Sequence, residues 1–449
     1  LLMPNEGLDA ARVLMGDSLG FHIIFVMFGL TLPILVSWFE WMGIRRKNPE
    51  LIRVAKFWSK IMAMLVITGV VSGTIIALQM SLVWPGILKF GGEVIGLPFM
   101  FETYAFFIEA TFLALYMTTW NNKRITPKMH NFFGWMTAFG ATLSAYAITS
   151  VNGWMNLPTG FDIINGKFAN VDVFKAMFSN VALIEFFHSM PGYYLSASLF
   201  IAGFYGIRLM RAKTKDRMGA SHKTDRFIFK TLVLFGIVMF IFSGITADLT
   251  GKYLAKNEPE KLAALELMYE TADHAPLLIG GVAGENGEIL GPHFKIPNAL
   301  SILAGGSTTT IVKGLREYDD SQLPPLYVHT LFDIKMTLIT AYVAIFGLFL
   351  FTIKWFKKCH YSRPMIGIVS LTGIMGIIIV ELGWMMTEIG RQPWAVRNHL
   401  TTAEALTKTH NVSTFGYLFP LAYVGLFIVT VLALRKIMKS ETKTLKGGK

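Results

Sequence analysis

The sequence predicts an all-α polytopic membrane protein with about nine transmembrane helices, the N-terminus outside and the C-terminus cytoplasmic. Three observations carry this. The 449 residues are 53% hydrophobic and only 16% charged, whereas a soluble domain carries about a quarter charged residues. Nine apolar runs reach the ~20 residues that a bilayer core requires. The loops between them alternate in charge, and basic residues collect on the cytoplasmic side of a membrane.

The runs fall near 20–42, 58–80, 96–118, 131–151, 184–207, 227–247, 329–353, 364–386 and 413–435. Arg45, Arg46, Lys47, Arg53 and Lys56 follow the first, and Lys123, Arg124 and Lys128 follow the third. Arg208, Arg211, Lys213, Lys215 and Arg217 follow the fifth. Lys354, Lys357, Lys358 and Arg363 follow the seventh, and Lys436, Lys439, Lys443 and Lys446 lie in the tail. The other loops are balanced or nearly uncharged. The formal charge of +12 is thereby read as cytoplasmic loops rather than a nucleic-acid surface. A single cysteine, Cys359, excludes a disulfide framework and a thiolate metal site. The first run is long enough to read as a retained span rather than a cleaved signal.

In order, the chain divides into six spans (1–249), one long segment placed outside (250–327), and three spans with a cytoplasmic tail (328–449). Within the long segment the sequence predicts a helix over 259–271 and then a Gly-rich irregular stretch to Gly314. An ordered external loop of this length is more often functional than a passive connector.

The chemistry concentrates in a few polar residues inside apolar runs. Glu381 and Glu388 lie seven apart, and so do Glu102 and Glu109, so each pair shares a helical stripe. A carboxylate deep in hydrocarbon costs about 2.5–3.5 kcal/mol even on the lenient scale. Two pairs with few intramembrane lysines to match them point to protons, metal or cofactor. The apolar run ends at Gly390-Arg391-Gln392-Pro393-Trp394, where glycine and proline stop helices. Of ten histidines only His22 and His188 lie within runs, with His329 at the edge of the seventh. An intramembrane histidine serves either a helix–helix hydrogen bond or haem iron. Arg12, ten residues before His22, is a candidate propionate partner.

The chain resembles subunit I of the cytochrome bd-type quinol oxidases over nearly its whole length. The matching segments occur in order: G-F-H at His22, the stretch from Glu102 to Glu109, L-S-A at 143–145, V-N-G-W-M at 151–155, and H-S-M-P-G-Y at His188. They continue with K-L-A-A-L-E at 261–266, E-L-G-W at Glu381 and G-R-Q-P-W at Arg391. The resemblance implies a quinol:oxygen oxidoreductase of a bacterial or archaeal plasma membrane. It implies two haem b and one haem d, or three haem b. His188 would ligate a low-spin haem, while His22, Glu381 and Glu102 would surround two high-spin haems. Lys261 and Glu266 match the pair linked to quinol, and Glu109 and Ser144 match a proton path. The resemblance also implies a second, haem-free membrane subunit and allows a small accessory single-span subunit. The apolar stripe Phe419, Ala422, Leu426 and Val429 of the ninth span is a candidate surface toward lipid or that subunit.

One segment departs from the family. An F-R-x-M-like motif normally gives the low-spin haem its methionine, but here the chain reads Phe332-Asp333-Ile334-Lys335-Met336. Lys335 occupies the ligand position and Asp333 that of an arginine. A thioether binds iron as it stands, whereas lysine must first lose its proton, so Met336 is the expected ligand, with Lys335 turned away. A proton-coupled transporter is the competing reading. Transporters show inverted repeats, and no such symmetry is visible here.

Overall fold

The computed structural model describes residues 4–284, 287–356, 359–408 and 412–447. Lys357 and Lys358 of the expected basic loop lie outside the described residues. Among the described residues, nine helices of 27 to 42 residues dominate. They are α1 (Pro4–Arg45), α2 (Pro49–Leu82), α3 (Pro85–Thr118), α4 (Pro127–Asn156) and α5 (Asn180–Arg211). After them come α6 (Lys223–Asn257), α7 (Val328–Trp355), α8 (Arg363–Ile389) and α9 (Val412–Gly447). Proline opens several of them, where its missing N–H is harmless. The Asn48 side chain caps α2 by accepting from the Glu50 N–H at 3.0 Å, and Ser179 accepts from the Ala182 N–H ahead of α5. Seven of the nine are long and apolar enough to cross a membrane. The other two, α4 and α5, have the length, at 30 and 32 residues, but carry more polar residues.

Two compact units form. One comprises Leu1–Val151, Gly160–Met177 and Ala405–Lys449. Here α1 and α2 pack as a pair, and α9 lies against both. Leu14, Phe419 and Tyr423 make a small core, and the Thr68 and Thr430 hydroxyls bond at 2.8 Å. Of the stripe expected on α9, Phe419 thus packs inward on this chain, while Val429 stays exposed. Phe419 is 7% exposed and Val429 57%, because the inward face runs Phe419, Tyr423, Thr430. A hairpin of β1 (Asp162–Ile164) and β2 (Lys167–Ala169) turns at Asn165-Gly166, both with positive φ. Asn-Gly is the pair that such a turn favours.

The second unit comprises Asn152–Thr159 and Phe178–Glu404, with α5 held between α6 and α8. Close approach of α5 and α8 depends on glycine, as small residues allow in membranes. A Cβ on Gly373 would stand 2.5 Å from Phe200 Cα, and one on Gly376 would stand 2.8 Å from Ser196. Gly373→Ala is expected to cost about 1–3 kcal/mol through overpacking and to lower the thermal midpoint in detergent. Gly347→Ala, where nothing lies within 4 Å, should leave it unchanged.

The long segment between α6 and α7 differs from expectation in two ways. Its helix is Pro259–Leu265 and does not continue to residue 271. Leu267 takes a left-handed φ of 45°, and the Met268 N–H returns to the Ala263 carbonyl at 2.9 Å, closing the helix end. The Gly-rich part is ordered: β3 (Leu277–Ala283) pairs antiparallel with β4 (Ile289–Ile296), followed by a short helix, Ala299–Gly305. A short hairpin of β5 (Trp394–Val396) and β6 (Leu400–Thr401) follows α8.

Candidate functional site

In the second unit, the polar residues of the long segment converge on the ends of α7 and α8. Lys261 is buried, and its Nζ donates to Glu258 Oε2 at 3.1 Å. Its stem crosses Gly390, where a Cβ would lie 2.8 Å from Lys261 Cε, so the glycine of G-R-Q-P-W is a packing requirement. Glu266 does not pair with Lys261. It is 2% exposed, and both its carboxyl oxygens lack a hydrogen-bond partner. The Leu278 N–H points its way without meeting hydrogen-bond geometry. Burial, with the Asp333 charge adding to it, pushes the Glu266 carboxyl up to about 8.

Asp333 fastens the hairpin to α7. Its Oδ2 accepts from the Gly280 N–H at 2.7 Å and lies 3.3 Å from His329 Nε2. The His329 Nδ1–H donates to the Leu265 carbonyl at 2.7 Å.

The end of α8 is tied to the end of α4 and to α5. Arg391 donates to Glu388 Oε2 at 2.5 Å and to Asn156 Oδ1 at 3.3 Å. Asn152 donates to the other Glu388 oxygen, and Asn156 donates to Glu185 Oε1, each at 2.6 Å. Arg397 ion-pairs with Glu260 at 2.6 Å and donates to the Asn257 carbonyl, clamping the Pro259–Leu265 helix. The motifs around 151–156 and 390–397 are thus halves of one network. Glu185, Glu258 and Arg397 are absent from the sequence reading. Glu185 lies three residues before His188, a one-face spacing that was available as a signal.

The two histidines that lie within apolar runs share one arrangement. In the second unit, His188 Nδ1 faces the Thr246 hydroxyl at 3.2 Å, and that hydroxyl donates to the Phe242 carbonyl at 3.1 Å. In the first unit, His22 Nδ1 faces Ser72 Oγ at 2.9 Å, and Ser72 donates to the Gly69 carbonyl at 2.9 Å. Each hydroxyl has spent its proton on a carbonyl, so it accepts from Nδ1–H. The lone pair of each imidazole is then on Nε2, the form a metal takes. Gly73 makes room for the His22 ring, since a Cβ there would lie 3.0 Å from Cε1.

Lys335 and Met336 point opposite to expectation. A Cβ built on Gly383 of α8 would lie 3.4 Å from Lys335 Nζ. Met336 is 41% exposed. Adjacent helical residues diverge by about 100°, and the docking of Asp333 under the hairpin fixes which way α7 is turned. Glu381 has one buried oxygen without a partner. One turn along, Trp384 donates to the Tyr193 hydroxyl at 2.5 Å.

In the first unit, Glu102 Oε1 accepts from Ser144 at 3.5 Å, and Glu109 is buried beneath Gly140, where a Cβ would lie 2.6 Å from the Glu109 nitrogen. The seven-residue stripe continues to Tyr116, whose hydroxyl donates to Glu40 Oε2 at 2.8 Å. His130 Nδ1 holds the other Glu40 oxygen at 2.6 Å, and Asn131 adds a bond at 3.2 Å. Glu40, Tyr116 and His130 are also new to the sequence reading. Arg12 ion-pairs with Asp9 at 3.6 Å.

A family model described as cytochrome bd terminal oxidase subunit I matches residues 10–442. A Bacillus subtilis protein named putative cytochrome bd menaquinol oxidase subunit I is 33% identical over 434 residues, covering 95% of this chain and 96% of its own. A second Bacillus subtilis protein, cytochrome bd ubiquinol oxidase subunit 1, is 30% identical over 442 residues, covering 94% and 91%. A chain from the structure of bd oxidase from Geobacillus thermodenitrificans superposes with a TM-score of 0.89 at 33% identity, covering 97% of this chain and 98% of that one.

Proposed function

The chain belongs to the cytochrome bd terminal oxidase subunit I family, and from that premise we propose that it oxidises quinol and delivers the electrons to oxygen. The transporter reading falls with this membership. The observation that carries the proposal within the structure is the pair of histidines, each held with Nδ1 as donor and Nε2 as a free lone pair. That donor set fits haem iron. We propose three haems per chain, two haem b and one haem d or three haem b. In the second unit His188 would hold the low-spin haem, with Glu381 as a further haem residue and Arg391 as a propionate partner; in the first unit His22 and Glu102 would serve high-spin haem, with Arg12 as a propionate partner. When bound, haem supplies electron transfer and oxygen activation.

The segment 250–327 is proposed as the quinol site, with Lys261 and Glu266 as its working residues. Two quinols and one oxygen give two quinones and two waters, so each quinol must release two protons. Glu266 is built to take one: its oxygens lack donors, and a quinol hydroxyl supplies the missing donor. Asp333 keeps the carboxylate basic. Lys261, paired to Glu258, offers an ammonium to the ring oxygens.

Water formation consumes four protons, drawn in this reading from the cytoplasm along Ser144, Glu102 and Glu109. A carboxylate stripe is suited to carry protons through hydrocarbon. All nine helices then span a plasma membrane with the N-terminus outside, and a second, haem-free subunit covers part of the exposed apolar surface. A pyridine haemochrome assay with an optical spectrum is expected to give three haems per chain. Folded, purified protein without haem would overturn this reading.

A further inference from the structure

We propose that Lys335, rather than Met336, supplies the second axial ligand to the haem iron held by His188. The proposal rests on the reading that His188 binds haem. Four observations carry it. The His188 Nε2 lone pair is left free by the Thr246 bond. Lys335 Nζ reaches across Gly383, the residue of α8 that leaves it space. Gly383 adjoins Trp384, which donates to Tyr193, five residues after His188, so Lys335 points toward the stretch of α5 that carries His188. Among the described residues Lys335 has no carboxylate partner: Asp333, the nearest in sequence, is spent on the Gly280 N–H and His329.

An ammonium in an apolar helix bundle without a counter-charge is costly. Coordination removes that cost, because the amine binds iron as the neutral base and its proton is released. Met336 cannot compete, since it is turned about 100° away and is 41% exposed.

An amine in place of a thioether also changes the haem's redox behaviour. Methionine raises the potential of a histidine-bound haem, so a lysine ligand places this one lower than in relatives that use methionine.

The test uses the purified complex and reads the low-spin haem by electron paramagnetic resonance and near-infrared magnetic circular dichroism. Haem content is measured in parallel. Met336→Leu is expected to leave the low-spin signals unchanged. Lys335→Leu should convert them to high spin with haem content retained. Lys335→Met should restore low spin, with the charge-transfer band shifted to the longer wavelength of a thioether ligand and a raised midpoint potential. If Lys335→Leu fails to accumulate, Lys335→Met decides alone, because an unshifted band contradicts the assignment. Low spin surviving in Lys335→Leu, or lost in Met336→Leu, also overturns it. Wild-type protein without haem would instead sink the functional reading on which it rests.

Discussion

His188→Leu is expected to abolish quinol-driven oxygen consumption and to remove the low-spin haem signal. In the proposed reading the imidazole is the iron ligand of the second unit: a threonine one helix away fixes its tautomer, and among the described residues no side chain takes up Nε2. Leucine keeps the volume and removes the ligand. The effect should be local, so the haem associated with His22 should remain visible in the spectrum. A milder variant separates ligand from support. Thr246→Val removes only the hydroxyl that orients the ring, and outer partners of this kind are worth roughly 10–100-fold in affinity or activity. Thr246→Val indistinguishable from wild type would mean that the His188 ring is positioned by something else.

Glu266→Gln is expected to lower quinol oxidation by about 10²–10⁴-fold, the range that a positioned base contributes, with reduced-minus-oxidised haem spectra intact. Glutamine fits the same buried space, so the fold should survive. The pH profile gives the sharper readout. Burial and Asp333 raise the carboxyl to about 8, so at neutral pH it is mostly protonated and the base form grows as pH rises. Quinol turnover in the wild type should therefore rise through about pH 8 and level off above it. In Glu266→Gln this rising limb should vanish. The same shift has a stability consequence. A carboxyl raised above its unfolded value favours the fold below the ordinary carboxyl range, and that advantage is lost as pH rises through about 8. Glu266→Gln should therefore tolerate alkaline pH better than wild type, even while it fails to turn over. A full alkaline limb in the variant would place the proton acceptor elsewhere.

The helices were legible because length and apolar composition decide whether a segment can cross a bilayer: the nine runs lie in long helices among the described residues, and seven of these are long and apolar enough to cross a membrane. Their ends were less so. α1 and α9 extend well past their apolar runs, since a helix continues into water wherever no breaker intervenes. The 259–271 expectation failed at Leu267, whose left-handed φ no residue type announces. The β3–β4 hairpin was hidden by its glycines. Gly280 and Gly281 take positive φ at a bulge and read in sequence as irregular chain.

At the site, residue types were legible and partners were not. His22 and His188 stood out as imidazoles in apolar runs, but Ser72 and Thr246 are ordinary hydroxyls until the fold brings them to the rings. Lys261 and Glu266, five apart in one motif, were read as a pair. The short helix instead aims Lys261 at Glu258, three residues back, and leaves Glu266 facing α7. The direction of Lys335 was set by long-range docking, through Asp333 on the hairpin and Gly383 on α8, which local spacing cannot convey. Glu40 with His130 and Tyr116 is the same lesson in the first unit, a network assembled from the ends of three helices.

The central claim is that this chain takes electrons from quinol at the loop beside His188, and anaerobic mixing with a quinol tests it most directly. The purified complex, mixed with excess quinol in a stopped-flow spectrophotometer without oxygen, should show reduction of the low-spin haem. Lys261→Ala and Glu266→Gln should slow that reduction while dithionite still reduces the haem fully. Haem that dithionite reduces but quinol leaves oxidised in the wild-type protein would contradict the account.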